Sequence, residues 1–218
     1  MIEWNKIDTV LLDMDGTLLD LNFDNHFWLE FVPARFAEAN NLSMEKAKQQ
    51  LVPQFKKMEG KLEWYCMDYW SEALQLDIAG LKAEISGLIT ILPHVMEFLE
   101  AAHRSHRKLF LVTNAHRDSL DLKMDKTCLE PFFDQIISSH DYGASKEQQA
   151  FWIELQKQQP FDLKKTLLVD DSLAVLKSAR LYGIKHLVSI SRPDSQLAKR
   201  EITDFLAIED FRELMAGL

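Results

Sequence analysis

The sequence predicts an α/β fold: a parallel sheet with helices on both faces, carrying an all-helical insertion after its first strand. Three observations predict it. Ile7 to Leu12 is a mostly apolar run that stops at Asp13-Met14-Asp15-Gly16, the pattern of a buried parallel strand running into a turn. Four similar runs follow at Leu109 to Val112, Gln135 to Ser138, Thr166 to Val169 and His186 to Ile190, with helix-like segments between them. Strands that alternate with helices imply a parallel sheet, because each crossover returns the chain to the same end of the strands. Residues 20–92 break this rhythm, since they are rich in Trp, Phe, Met, Glu, Lys and Gln and hold no comparable strand.

The elements follow in order. Residues 1–19 and 93–218 are expected to form the core, and residues 20–92 a helical cap subdomain. Pro33 and Pro53 are expected to divide that segment into several helices. Pro93 marks a helix start, after which Val95, Phe98, Leu99 and Ala102 recur at helical spacing. Phe151, Trp152 and Leu155 form a second apolar face. Ser172 is an N-cap candidate for a helix through Leu173, Leu176 and Ala179, and Gly183 is its stop. From about Arg192 the tail reads as a loop followed by a short helix near Glu209 to Leu214.

Composition bounds the function. The 218 residues can bury a sizeable core, and a formal net charge of -9 argues against nucleic acid or an anionic membrane as partner. It leaves room for a small phosphorylated substrate, because a local field can oppose the net charge. Two cysteines, Cys66 and Cys128, lack metal-ligand spacing and do not make a disulfide framework, so both are read as buried or idle thiols. No basic patch followed by a long apolar run opens the chain, and no stretch approaches the ~18 apolar residues of a membrane span. A soluble, reduced, cytoplasmic protein is expected. The oligomeric state is open, and a monomer is compatible with the sequence.

The chemistry sits where the strands end. Reactive groups in open α/β sheets gather at the carboxyl ends of strands. Three runs end in polar clusters: Asp13-Met14-Asp15-Gly16-Thr17, Thr113-Asn114 and Asp170-Asp171-Ser172, while Lys146 follows a fourth. Each signal alone is weak, since a strand-to-helix turn, a cap or a surface lysine would look the same. Their order along the chain is what carries weight. Several carboxylates in one partly buried spot repel one another, and a hard divalent cation relieves this; oxygen-only donors suit Mg²⁺. Thr113, Asn114, Lys146 and backbone N–H groups of the Met14 to Gly16 turn then suit phosphate oxygens. Asp13, at the strand end, is read as the nucleophile, and Asp15 as the acid that protonates the leaving oxygen and later activates water. Gly16 lets the backbone turn sharply.

These residues resemble the four motifs of the haloacid dehalogenase (HAD) superfamily, over the whole chain. Asp13 and Asp15 match its paired aspartates, Thr113 its second motif, Lys146 its third, and Asp170 with Asp171 its acidic fourth. The resemblance implies a Rossmann-like core with a cap inserted after the first motif. It also implies Mg²⁺ held by the Asp13 side chain, the Asp15 backbone carbonyl, Asp171 and Asp170. Dehalogenase members typically lack the second aspartate, so Asp15 points to phosphoryl chemistry. The family often has Pro after the third-motif lysine; Glu147 stands here, which predicts a looser loop.

A narrower resemblance is to the proteobacterial GMP/IMP nucleotidases of this superfamily. It rests on Leu11 to Asp20, Phe23-Asp24-Asn25, Phe27-Trp28, the stretch Trp64 to Glu72, and Thr113-Asn114-Ala115-His116. It implies hydrolysis of purine nucleoside monophosphates. The aromatic residues Phe23, Phe27, Trp28, Trp64, Tyr65, Tyr69 and Trp70 could stack on a base, although most are expected to be core of the insertion. Two alternatives remain: a sugar-phosphate phosphatase or phosphoglucomutase on the same core, and a non-catalytic binding protein that keeps the fold.

Overall fold

The structure is a computed structural model that describes residues 2–218. Six strands form one parallel sheet: β1 (Thr9–Leu12), β2 (Lys108–Thr113), β3 (Gln135–Ser138), β4 (Thr166–Asp170), β5 (His186–Ile190) and β6 (Leu206–Ile208). Their spatial order is β3-β2-β1-β4-β5-β6. The chain starts in the middle and winds outward both ways, so the order reverses between β1 and β4. At that switch point neighbouring connections leave in opposite directions and open a crevice.

Successive strand residues alternate between two buried layers. Val10, Leu12, Leu109, Leu111, Leu167 and Val169 face one layer. Leu11, Phe110, Val112 and Leu168 face the other. Each side chain of this size buried from water contributes about 1.5–3 kcal/mol, which is why the central strands read as continuous apolar runs. Eleven α-helices are described: α1 (Asn22–His26), α2 (Val32–Ala39), α3 (Met44–Met58), α4 (Leu62–Tyr65), α5 (Met67–Leu74), α6 (Ile78–Glu84), α7 (Val95–Arg104), α8 (Arg117–Thr127), α9 (Gln149–Gln158), α10 (Leu173–Tyr182) and α11 (Arg212–Met215). Helices α7, α8 and α11 cover the first layer, while α9 and α10 cover the second. Ser172 caps α10 by accepting from the Val175 N–H, and Gly183 ends it at φ 111°.

Between β1 and α7 every described element is helical: α1 to α6, a π-helical stretch at Phe27–Phe31 and a short 3-10 turn at Ser86–Leu88. This insertion has its own core around Phe27, Leu51, Phe55, Trp70 and Leu74. It is joined to the sheet by two strands of backbone side by side: Asp20 N–H donates to the Thr90 carbonyl, and Leu92 N–H to that of Leu18.

Three expectations need correction. Pro53 does not divide the insertion; it lies inside α3. It is exposed there, so water can serve the carbonyl that loses its N–H partner. Pro93 precedes α7 by two residues, because His94 takes the left-handed conformation at φ 60° and the helix starts at Val95. The tail holds a sixth strand: Leu206, Ala207 and Ile208 pair with Val188, Ser189 and Ile190. Three residues are too few to show a period of two.

Candidate active site

The strand order brings the predicted residues together. Asp13 directly follows β1, Thr113 closes β2 and Asp170 closes β4, and these three strands are adjacent. Lys146 arrives from the loop beyond β3. Its Nζ donates to Asp13 Oδ1 at 2.5 Å, to Asp170 Oδ2 at 2.8 Å and to the Val112 carbonyl at 3.0 Å. All three ammonium protons are therefore used, and the side chain is 2% exposed. Asn114 shapes that loop by accepting the Lys146 backbone N–H at 2.9 Å. Asp13, Thr113, Lys146 and Asp171 line a cavity of about 170 Å³.

Asp13, Asp170 and Asp171 bring carboxylate oxygens within 4.8 Å of one another. Burial pushes all three carboxyls up. Lys146 pulls Asp13 back while Asp170 pushes it further, leaving it at about 6. Lys146 also opposes the rise at Asp170. Asp171 is pushed well up by burial and by Asp13 and Asp170 beside it. Lys146 itself is held above its ordinary value: burial works against its charge, but Asp13 and Asp170 prevail. Arg200 is the other cation at hand, 3.6 Å from Asp171 Oδ2. Three carboxylates against two cations leave negative charge in excess, and the donors are all oxygen. That set fits a hard divalent cation.

Gly16 sits at φ 79°, where a Cβ would lie 2.8 Å from Asp171 Cγ. The expected phosphate contact from this residue is corrected: its N–H donates to the Leu19 carbonyl at 2.7 Å. Gly16 therefore serves the turn and the close approach of Asp171. The Thr113 Oγ1 accepts from the Ala115 N–H at 3.0 Å, which leaves its own proton available to a ligand.

Asp15 lies outside the carboxylate trio, in a second network that the sequence did not reveal. Lys123, from α8, donates to Asp15 Oδ1 at 2.6 Å and to Asp24 Oδ2 at 2.7 Å. Lys82, from α6, donates to Asp24 Oδ1 at 2.7 Å and to Ser119 Oγ at 2.9 Å. Burial raises Asp15 most; Lys123 pulls against it and Asp24 adds to it, leaving the carboxyl at about 6. Burial also acts to raise Asp24, but Lys123 and Lys82 outweigh it and hold this carboxyl well below the usual range.

Asp24→Asn tests this network. A carboxyl whose folded value is depressed gives stability that is present above its unfolded value, about 3.9, and lost as pH falls further. The variant leaves two buried ammonium groups short of a partner, so a loss of roughly 3–5 kcal/mol is expected at neutral pH. The difference in unfolding free energy from the parent should shrink as pH drops below about 4. A pH-independent difference in denaturant titrations would rule out the network as the cause.

The insertion faces the same crevice. Tyr65 donates to Glu147 Oε1 at 2.7 Å, and Asn114 Nδ2 donates to Glu147 Oε2 at 3.0 Å. Glu147 thus anchors the loop against the insertion, where a looser loop was expected. Both ends of the Asn114 amide are engaged, so this side chain orders the loop and has one N–H left for a ligand. Beyond Tyr65 and Asp15 lies a cavity of about 460 Å³, lined also by Trp28, Trp64, Phe55 and Asn25. Of the aromatics noted in the sequence, Phe23, Phe27 and Trp70 are buried in packing.

A doubly wound sheet with paired acids after β1, a buried lysine and an acidic pair after β4 defines the HAD class, and comparison with known families agrees. The profile of haloacid dehalogenase-like hydrolases matches residues 10–189, and the chain belongs to that family. It is a HAD-family phosphohydrolase. Among particular relatives, it is similar to the GMP/IMP nucleotidase YrfG of Escherichia coli (strain K12), with 37% identity over 217 residues, 100% of this chain and 98% of the relative. Solved structures share the fold. A HAD phosphatase from Thermococcus onnurineus superposes with a TM-score of 0.80 at 21% identity, over 96% of this chain and 97% of the other. YfnB of Bacillus subtilis, solved bound to magnesium, gives 0.68 at 20% identity over the same shares. Among the described residues no helix is long and apolar enough to cross a membrane.

Proposed function

We propose that this protein hydrolyses purine nucleoside 5'-monophosphates to nucleoside and phosphate, with Asp13 as nucleophile. The observation that carries this reading is the convergence of Asp13, Lys146, Asp170 and Asp171 in a small cavity that leads, past Asp15 and Tyr65, to a wider aromatic one. The small cavity suits a phosphate. The wider one has flat walls at Trp28 and Trp64 that suit a base. The relative named a GMP/IMP nucleotidase supports the same substrate class.

The residues present fit Mg²⁺, which the side chains of Asp13, Asp170 and Asp171 and the Asp15 carbonyl would hold. When bound it offsets their charge and withdraws electron density from the phosphate. The Asp13 carboxylate attacks phosphorus, and the bond from phosphorus to the ribose oxygen breaks. Asp15 gives its proton to that oxygen; a carboxyl at about 6 is matched to the task near neutral pH. Lys146 stays protonated throughout and holds Asp13 in line. In the second half Asp15 takes a proton from water, which attacks the phosphorus carried by Asp13 and frees phosphate. The helical insertion, with residues 20–92, acts as the cap that excludes water and selects the leaving group. The free thiols of Cys66, half-buried, and Cys128, exposed, suit a reducing, cytoplasmic compartment.

Purified protein with Mg²⁺ is expected to turn over GMP and IMP with kcat/KM well above that for hexose phosphates. Hydrolysis of sugar phosphates with none of purine nucleotides would overturn the substrate class and leave the Asp13 chemistry standing. No turnover of any phosphomonoester would overturn both.

A further inference from the structure

A second cluster of ligating groups lies on the seam between insertion and core, and the proposed hydrolysis does not use it. Cys66, between α4 and α5, belongs to the insertion. His116 precedes α8 at the end of the β2 loop, and His140 follows β3. One ligand atom from each lies within 4.8 Å of the other two. The two imidazole rings meet edge to face, 5.0 Å between centroids. All three residues are half-buried.

Packing alone does not account for this cluster. His116 Nδ1 and His140 Nε2 are both buried without a hydrogen-bond partner. A buried polar atom left unpaired gives up its hydration with nothing in return, so two on adjacent rings beside a thiol are unusual. The carboxylates nearby stand off at longer range, Asp118 Oδ2 at 3.5 Å from His116 Nδ1 and Asp68 Oδ2 at 3.7 Å from His116 Nε2. Each imidazole offers a lone pair in its neutral form, and the thiol offers one once its proton leaves.

We propose that Cys66, His116 and His140 form a second metal site, which takes a borderline-soft divalent cation such as Zn²⁺ and clamps the insertion to the core. One sulfur and two imidazole nitrogens suit zinc and suit magnesium poorly. In a tetrahedral zinc site with bonds of about 2.3 Å to sulfur and about 2.0–2.1 Å to nitrogen, ligand atoms sit roughly 3.3–3.6 Å apart. The cluster needs only a modest inward movement to reach that. Asp68, two residues beyond Cys66, can supply a carboxylate for the fourth position. The donors differ from the all-oxygen set around Asp13, so the two sites call for different ions. Because one ligand comes from the insertion and two from the core, binding favours the arrangement in which they meet.

The test uses the full-length protein with saturating Mg²⁺, so that the carboxylate site is served by its own ion. Zinc should abolish iodoacetamide labelling of Cys66, followed by mass spectrometry, while exposed Cys128 stays labelled and serves as the internal control. Cobalt(II) in place of zinc should give a sulfur-to-metal charge-transfer band, lost in Cys66→Ser. In His140→Ala, zinc should no longer protect Cys66. Unchanged Cys66 labelling in the parent protein, or full protection persisting in His140→Ala, would overturn the proposal. If that variant fails to fold, the labelling and the cobalt spectrum of the parent decide. None of these readouts depends on the identity of the substrate.

Discussion

Asp13→Asn is expected to leave a folded protein whose phosphomonoester turnover falls by about 10⁴–10⁶-fold, the range seen when one member of a catalytic unit is removed. The change keeps the shape of the side chain and an oxygen for the Lys146 ammonium. It removes the proposed nucleophile, because an amide does not attack phosphorus. Stability should move the other way. The Asp13 carboxyl sits at about 6 in the fold, raised chiefly by burial. A carboxyl raised on folding makes the protein less stable as pH climbs from its unfolded value, about 3.9, through its folded one. Asparagine has no such titration. Without divalent ions the variant should therefore gain on the parent in melting temperature between about pH 4 and pH 6, and hold that gain above. A parental rate would show that Asp13 is not the nucleophile. A pH-independent difference in melting temperature would show that its ionisation is not linked to folding.

The site was legible in the sequence to the extent that strand ends placed it. Asp13, Thr113 and Asp170 each close an apolar run, and a parallel sheet puts such ends on one edge whatever the order of strands. Lys146 could be placed only because its loop follows another run. The groups that position these residues left no comparable trace. Lys82 and Lys123 are single charges on helices, where a solvated lysine is the ordinary finding. Only tertiary packing brings them onto Asp24 and, through Lys123, Asp15. Glu147 read as the loss of a family proline, yet its carboxylate ties Tyr65 of the insertion to Asn114 of the core. The histidines at 116 and 140 are 24 positions apart and 74 from Cys66 at the farthest, so no local spacing could mark them as neighbours. Pro53 misled for a physical reason: its cost to a helix depends on what replaces the missing bond, and on an exposed face water does.

The same placement makes Lys146 the position where activity and stability are expected to fail together. Lys146→Met keeps much of the aliphatic stem and removes the ammonium. The Asp13 and Asp170 carboxylates and the Val112 carbonyl all lose their donor at once. Removing one partner from a buried ionic cluster costs about 3–5 kcal/mol, because the charges left behind are not solvated. On the proposed mechanism the site also loses a preorganised cation beside the phosphate, a loss worth about 10²–10³-fold in kcat. These effects separate by pH and by metal. With the ammonium gone, both carboxyls rise further above their unfolded values, so the variant should be least stable at high pH and recover as pH falls toward about 4. Mg²⁺ should restore melting temperature more in the variant than in the parent, since it replaces the lost positive charge, yet leave kcat low. Equal recovery of kcat and melting temperature with Mg²⁺ would show that Lys146 acts only as a structural counter-charge and has no separate part in the reaction.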